Sequence, residues 1–151
     1  MNNVRISTKR IDELERIMIM SKLESLNGNI AFNCKVLDFE YLIKLHKYLF
    51  VDMYGDVLTN TRNMNDKEKK IINKILLRVN EVCKNNRENV YEIIKLLHNV
   101  WYLQPFTDGN TRTLIGYLMI LKEYYDLDID FDIHDDVRDL IKYKKLELIK
   151  K

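Results

Sequence analysis

The sequence lacks the residues on which turn-rich folds depend. Its 151 residues include 1 proline and 4 glycines. β-Sandwiches and barrels contain many tight turns, and glycine and proline supply the backbone angles of those turns. Hydrophobic residues make up 46% and charged residues 32% of the chain, which provides enough apolar surface for a core. The composition therefore favours a single, mainly helical domain spanning residues 1–151.

Cysteine is scarce as well, and its spacing argues against two kinds of cross-link. Cys34 and Cys83 stand far apart, outside any Cys-x-x-Cys or Cys/His pattern. Such spacing favours neither a structural zinc site nor a disulfide framework. We therefore expect two reduced, partly buried thiols.

The chain also has no long apolar run and no marked excess of one charge. Its longest apolar run, 114–121, is broken by Gly116, whereas a bilayer span needs about 20 apolar residues. The first ten residues are polar, unlike a secretory signal. Lys and Arg number 25 and Asp and Glu 23, for a net charge of +2, which indicates no nucleic-acid partner. We expect a cytoplasmic protein, or a delivered effector without a classical signal, that engages no membrane.

Apolar residues recur at helical spacing along most of the chain, which predicts an all-α bundle of about six helices. Asp38 and Asp66 suit helix starts, and Pro105 ends a helix because the residue before proline avoids helical angles. The last helix of the core is apolar nearly all round, so we expect it at the centre of the bundle. The predicted helices cover about 9–27, 38–53, 66–85, 90–101, 109–125 and 135–150, the first and last being extensions of a core at about 38–130.

One segment between two predicted helices carries chemistry: residues 104–112, Gln-Pro-Phe-Thr-Asp-Gly-Asn-Thr-Arg. Gly109 allows a tight turn, and the first amides of the helix that follows have no intrahelical acceptor. The helix dipole adds about half a positive charge there, which makes the helix start an anion site. Arg112 has a planar fork that suits phosphate, and Asp108 offers a hard oxygen ligand for Mg²⁺. The alternative is an ordinary helix connection in which Asp108 caps the helix and Arg112 pairs with a surface carboxylate.

This segment resembles the core motif of Fic-domain proteins, His-x-Phe-x-(Asp/Glu)-Gly-Asn-x-Arg. A second stretch, 45–54 (Leu-His-Lys-Tyr-Leu-Phe-Val-Asp-Met-Tyr), is similar to the helix that precedes the motif in that family. Five positions match the motif in residue type and spacing: Phe106, Asp108, Gly109, Asn110 and Arg112.

The resemblance implies a helical protein that transfers AMP from ATP to a protein hydroxyl, with ATP and Mg²⁺ as cofactors. It implies that Asp108 holds the metal ion and that Phe106 anchors the loop in the core. It also implies a cradle for the nucleotide phosphates at the helix start, formed by Gly109, Asn110, Thr111 and Arg112.

The resemblance breaks at the position of the family's catalytic histidine, where this chain has Gln104. That histidine takes the proton from the target hydroxyl, which a neutral imidazole can do because its pKa lies near 7. An amide accepts no proton at physiological pH, and loss of a general base costs about 10²–10⁴-fold in rate. We therefore expect impaired or altered transfer. We do not expect His46, His98 or His134 to replace the base, and we expect each of them partly exposed or at the core edge.

The loop at 56–65 lies where the family has a flap that aligns the target chain, so the fold can include a short β-hairpin or flap there. Arg62 is the expected target-docking residue, and the expected partners are a nucleotide and a protein target. Another hypothesis retains activity: the phosphate site stabilises the transition state, and the hydroxyl loses its proton to water or to the ligand.

A further hypothesis is a non-catalytic interaction or regulatory module, such as one component of a toxin–antitoxin pair with an antitoxin-like partner. Tyr102, Tyr124 and Tyr125, with the basic last helix, would then form the partner surface. The same tyrosines can instead line the rim of the core, since tyrosine is apolar along its ring and polar at its tip.

Overall fold

The computed structural model describes residues 17–18, 21–22, 36–54, 61–85, 89–127 and 141–142. All regular secondary structure in these segments is α-helical, as the sequence predicts, and they contain no strand. The predicted helices at 9–27 and 135–150 lie almost entirely outside the described residues, and so does the first half of the loop at 56–65. The four helices are α1 (Phe39–Tyr54), α2 (Asp66–Asn85), α3 (Val90–Leu103) and α4 (Asn110–Tyr125).

Each of the first three helices starts at an N-capping residue with a polar side chain. The Asp38 carboxylate accepts a hydrogen bond from the Tyr41 amide at 3.0 Å. The side-chain oxygen of Asn65 accepts from the Glu68 amide at 2.8 Å at the start of α2. A side-chain oxygen at these positions satisfies an amide that has no acceptor within the helix. The residues that set the helix starts are therefore local in sequence.

The helix ends on either side of the motif depend on left-handed backbone angles. Gln104 follows α3 with φ 48°, and its backbone N–H donates to the Trp101 carbonyl at 3.0 Å. Gln104 precedes Pro105, and the residue before a proline is excluded from the right-handed helical region, so α3 ends there. α4 begins directly after Gly109, which has φ 80°.

α4 packs against each of the other three described helices. Its sequence is apolar on nearly every side, and a helix with that pattern can bury its whole circumference. Leu114, Tyr117, Leu118 and Leu121 are each fully buried. The start of α4, where the motif lies, is consequently held on a rigid element.

A buried polar network joins the entry to α1 with α2 and α4. The Asn80 side chain accepts a hydrogen bond from the Leu37 amide at 3.1 Å and donates to the Leu37 carbonyl at 2.8 Å. The Tyr117 hydroxyl also donates to the Leu37 carbonyl, and the Tyr125 hydroxyl donates to Asn80. Because buried polar groups are costly when unpaired, these bonds fix the relative placement of the three elements.

Candidate functional site

The segment singled out in the sequence forms the short connection from the end of α3 to the start of α4. It is paired on one side with the chain that precedes α2: the Arg62 amide donates to the Pro105 carbonyl at 3.0 Å. An antiparallel bridge between Thr61 and Phe106 lies beside this bond. This bridge is a β-type contact within the described segments, and its Thr61 belongs to the second half of the loop at 56–65, where we predict a flap.

The Asn110 side chain closes the loop back on itself. Its oxygen accepts from the Phe106 amide at 2.9 Å, and its nitrogen donates to the Phe106 carbonyl at 2.9 Å. The same nitrogen donates to the side-chain oxygen of Gln104 at 3.0 Å. Asn110 is only 5% exposed, so its side-chain amide bonds within the loop and is shielded from solvent. Its backbone belongs to the first turn of α4, where the sequence predicts a phosphate cradle.

Gly109 is the position at which the loop tolerates no side chain. Its φ of 80° lies in the left-handed region, which disfavours residues with a Cβ. A Cβ added there would come within 2.6 Å of the Phe50 ring and 3.3 Å of the His46 ring. The backbone therefore packs directly on α1, and glycine is the residue that allows it.

The first turn of α4 has the features of an anion site. No side chain caps this helix start, and the first helical bond runs from the Thr113 amide to the Gly109 carbonyl at 3.0 Å. Amides before that bond lie at the positive end of the helix dipole. Arg112 is half-buried in the same turn, and Thr111 accepts a hydrogen bond from the Trp101 indole at 2.9 Å. The predicted phosphate residues are thus contiguous on one helix start.

Asp108 is exposed beside this turn. One carboxylate oxygen accepts from the Gly109 amide at 2.8 Å. No cluster of three or more His, Cys, Asp or Glu side chains suited to a metal occurs among the described residues. Mg²⁺ commonly binds through one or two carboxylates together with phosphate oxygens and water. A single exposed carboxylate next to an anion site therefore fits Mg²⁺ that arrives with a nucleotide.

Gln104 is exposed at the start of the loop, and both polar ends of its side chain are engaged. Its nitrogen donates to the Trp101 carbonyl at 2.6 Å, while its oxygen accepts from Asn110. The Gln104 side chain therefore links the end of α3 to the motif loop. As an amide, it has no protonation change to offer near neutral pH.

Arg62 caps the C-terminus of α3. Its guanidinium donates to the Leu103 carbonyl at 3.1 Å and to the Gln104 carbonyl at 2.8 Å. It also forms an ion pair with Glu68 at 2.5 Å. A cation stabilises a helix C-terminus because the last carbonyls carry partial negative charge. We predict target docking for Arg62 from the sequence, and the structure gives it this additional contact with the motif loop.

His46 is the site residue that sequence reasoning missed. The expectation of a partly exposed or core-edge side chain is wrong, because His46 is 0% exposed. Its ring stacks on Phe106, with centroids 3.9 Å apart and planes 4° from parallel, and its Nε2 lies 2.8 Å from the Asp108 carbonyl oxygen. A signal was present, since His46 falls between Leu42 and Phe50 on the apolar face of α1.

Of the other two histidines, His98 lies on α3 and belongs to the described residues. His98 is half-buried, and its Nδ1 lies 2.8 Å from the Ile141 carbonyl oxygen. Its ring also stacks on Trp101 at 5.8 Å, as expected for a residue at the core edge. His134 lies outside the described residues. Neither observation supplies a base for the Gln104 position.

Comparison with known proteins relates the chain to a protein family. A sequence profile of the Fic/DOC family matches residues 36–119, which is more than half of the chain and includes α1 and the whole motif loop. No curated protein and no solved structure matches the chain significantly. No described helix combines the length and the apolar character that crossing a bilayer requires.

Proposed function

Because the chain belongs to the Fic/DOC family, we propose that the first turn of α4 binds the phosphates of a nucleotide, with Mg²⁺. The observation that carries the proposal is the helix start itself. Gly109 introduces α4 without a capping side chain, and Arg112 lies in the same turn. An uncapped, partly buried helix start with a guanidinium beside it favours a bound anion by charge and by hydrogen bonding.

Each site residue has a role in this proposal that its surroundings support. The amides of Asn110 and Thr111 donate to phosphate oxygens while the Gly109 amide keeps its bond to the Asp108 carboxylate, and Arg112 neutralises the charge of the outer phosphates. Asp108 would hold Mg²⁺ together with the phosphates, and the bound ion would supply positive charge beside the leaving pyrophosphate. Phe106 holds the loop against α1.

We further propose that AMP transfer by this chain is slow. Transfer joins the target hydroxyl oxygen to the α-phosphorus, releases pyrophosphate and requires the hydroxyl proton to leave. Gln104 occupies the place where a base is needed and cannot take that proton. The phosphate site still stabilises charge in the transition state, so transfer is slowed and not abolished. The protein therefore acts mainly by binding nucleotide.

Calorimetric titration with ATP and Mg²⁺ tests the binding proposal. The wild-type chain should release or absorb heat at or below millimolar ligand, and Arg112→Ala should weaken binding by at least about tenfold, because charged hydrogen bonds contribute about 1.5–3 kcal/mol. Arg78→Ala, the same change on the exposed face of α2, is the matched control and should bind as the wild type does. Absence of heat at millimolar ligand in the wild type would refute the proposal.

Transfer of labelled AMP to lysate proteins tests the second part. Histidine is among the residues that tolerate left-handed backbone angles, so Gln104→His fits the existing φ of 48°. The variant should label proteins about 10²-fold or more faster than the parent. Gln104→Ala, which has neither base nor amide, is the control and should not gain activity. Equal labelling by the parent and Gln104→His would show that Gln104 does not limit transfer.

A non-catalytic interaction module is the second candidate, favoured by one observation. Tyr102 is 73% exposed, two residues before the motif, where no packing role accounts for it. Tyr124 and Tyr125 pack edge to face at the rim of the core, with ring centroids 4.7 Å apart, which fits the alternative role given above, lining the rim of the core. If Tyr102 contacts a partner, Tyr102→Ser should lose a protein that co-purifies with the wild type from the native host.

A further inference from the structure

We propose that His46 is a positioning residue for the Asp108 carboxylate, acting through the peptide group between Asp108 and Gly109. The inference rests on the nucleotide site proposed above and extends it to a buried residue of α1. It begins from the 2.8 Å contact between the His46 Nε2 and the Asp108 carbonyl oxygen. A carbonyl oxygen can only accept, so Nε2 must carry the proton and donate it.

The peptide group transmits this contact to the surface of the loop. The Asp108–Gly109 peptide is trans, so its carbonyl and its amide point in opposite directions. With the carbonyl directed at the buried His46, the Gly109 amide is directed away from α1. That amide donates to the Asp108 carboxylate at 2.8 Å. A chain of two hydrogen bonds therefore runs from a core histidine, through one peptide, to the predicted metal ligand.

Packing around the His46 ring fixes its orientation, so the two hydrogen bonds have a single geometry. Phe106 stacks on one face at 3.9 Å, nearly parallel, and Phe50 lies 5.0 Å away at a tilt of 42°. The ring is completely buried, so solvent does not compete for its Nε2. Hydrogen bonds in series strengthen one another in such surroundings. Rotation of the Asp108–Gly109 peptide would break both bonds and move the carboxylate.

Two variants separate the hydrogen bond from the packing. His46→Phe keeps an aromatic ring against Phe106 but has no donor, whereas His46→Gln keeps an N–H at similar reach but has no ring. Thermal melts establish that both variants fold. The affinity for ATP with Mg²⁺ should fall about tenfold in His46→Phe, because loss of a group that orients a metal ligand commonly costs about 10–100-fold in metal affinity, and should recover to within about threefold of wild type in His46→Gln. Wild-type affinity in a folded His46→Phe would overturn the proposal.

Nuclear magnetic resonance gives readouts that need no nucleotide. In the wild type, ¹⁵N spectra of the imidazole should show a protonated Nε2 for His46, and a neutral ring with its proton on Nδ1 alone would overturn the proposal. The Gly109 amide should shift and exchange faster in His46→Phe, but not in His46→Gln. An unchanged Gly109 amide in His46→Phe would also overturn it. Failure of the wild type to bind nucleotide would instead count against the proposed function, and the Gly109 and imidazole signals would still decide the role of His46.

Discussion

At the scale of single residues, side chains of the motif loop hold the loop in its conformation. Asn110 bonds to neighbours within the loop, and Gln104 bonds to Asn110 and to the Trp101 carbonyl at the end of α3. The Asp108 side chain is exposed, and the Arg112 side chain is half-buried in the first turn of α4. Gln104 therefore helps to hold the shape of the loop, and under the proposed function it supplies no base.

Cys83 allows a prediction on the pH dependence of stability. Burial raises the pKa of its thiol from 9.0 to about 12. In the unfolded chain the thiol ionises first, so stability is unaffected by this group below pH 9 and falls as the pH rises from about 9 towards 12. Urea unfolding at pH 7.5, 9 and 10.5 should show a steeper loss of unfolding free energy in the wild type than in Cys83→Ala.

The two proteins share every other group that titrates at alkaline pH. Burial also raises the pKa of Tyr117, and the charge of an ionised Cys83 adds to that rise, so Cys83→Ala removes the thiol together with this smaller effect on Tyr117. Cys83→Ala should start from a lower stability at pH 7.5, since it leaves a small cavity. Parallel curves for the two proteins would contradict the assignment of the raised pKa to Cys83.

At the scale of elements, the four described helices follow the periodicity of the sequence closely. The predicted range 66–85 coincides with α2, and the predicted start at 109 differs from that of α4 by a single residue. Helix starts are set by side chains adjacent in sequence, and these can be recognised without the fold. The end of α3 depends in addition on Arg62, which arrives from 41 residues earlier and could not be assigned that role from sequence.

Arg62 gives a prediction at this scale. Arg62→Ala should lower the unfolding free energy by about 1–2 kcal/mol, because it removes charged hydrogen bonds from the last carbonyls of α3. Hydrogen exchange at the Gln104 amide should accelerate as the last turn frays. The unfolding free energy of Arg62→Lys should lie between those of the wild type and Arg62→Ala, since lysine keeps the charge but loses the planar fork.

The control for this prediction is again Arg78→Ala. Arg78 pairs with Glu81 at 3.2 Å on the exposed face of α2, and exposed pairs contribute about 0–1 kcal/mol. If Arg62→Ala costs no more than Arg78→Ala, the capping contacts of Arg62 do not stabilise the end of α3.

At the scale of the whole molecule, the Asn80 network determines how the helices meet. One side chain bridges the entry to α1, its own helix α2 and Tyr117 on α4. The site depends on this arrangement, since His46 and Gly109 belong to α1 and to the start of α4. Displacement of α1 relative to α4 would separate the two residues.

Asn80→Ala should therefore destabilise the fold by about 2–4 kcal/mol, because it takes the acceptor from the buried Leu37 amide and removes the bonds from Asn80 to the Leu37 carbonyl and from Tyr125 to Asn80. The measurement is urea unfolding followed by circular dichroism. Asn73→Ala is the matched control: Asn73 is half-buried on the same helix and accepts one bond, from the Phe39 amide at 3.1 Å. It should lose about 1 kcal/mol. Equal losses in both variants would indicate that the network adds nothing beyond single hydrogen bonds.

The helical class, the positions of the described helices and the motif segment 104–112 can all be predicted from the order of the amino acids. These features depend on hydrophobic periodicity, on capping residues and on glycine, all of which act over a few neighbouring residues. Two contacts of the site cannot be predicted in this way: His46 lies beneath the loop, 62 residues before the carbonyl that it contacts, and Arg62 caps the end of α3. Such partners are chosen when helices pack, and packing brings together residues whose separation along the chain carries no local signal.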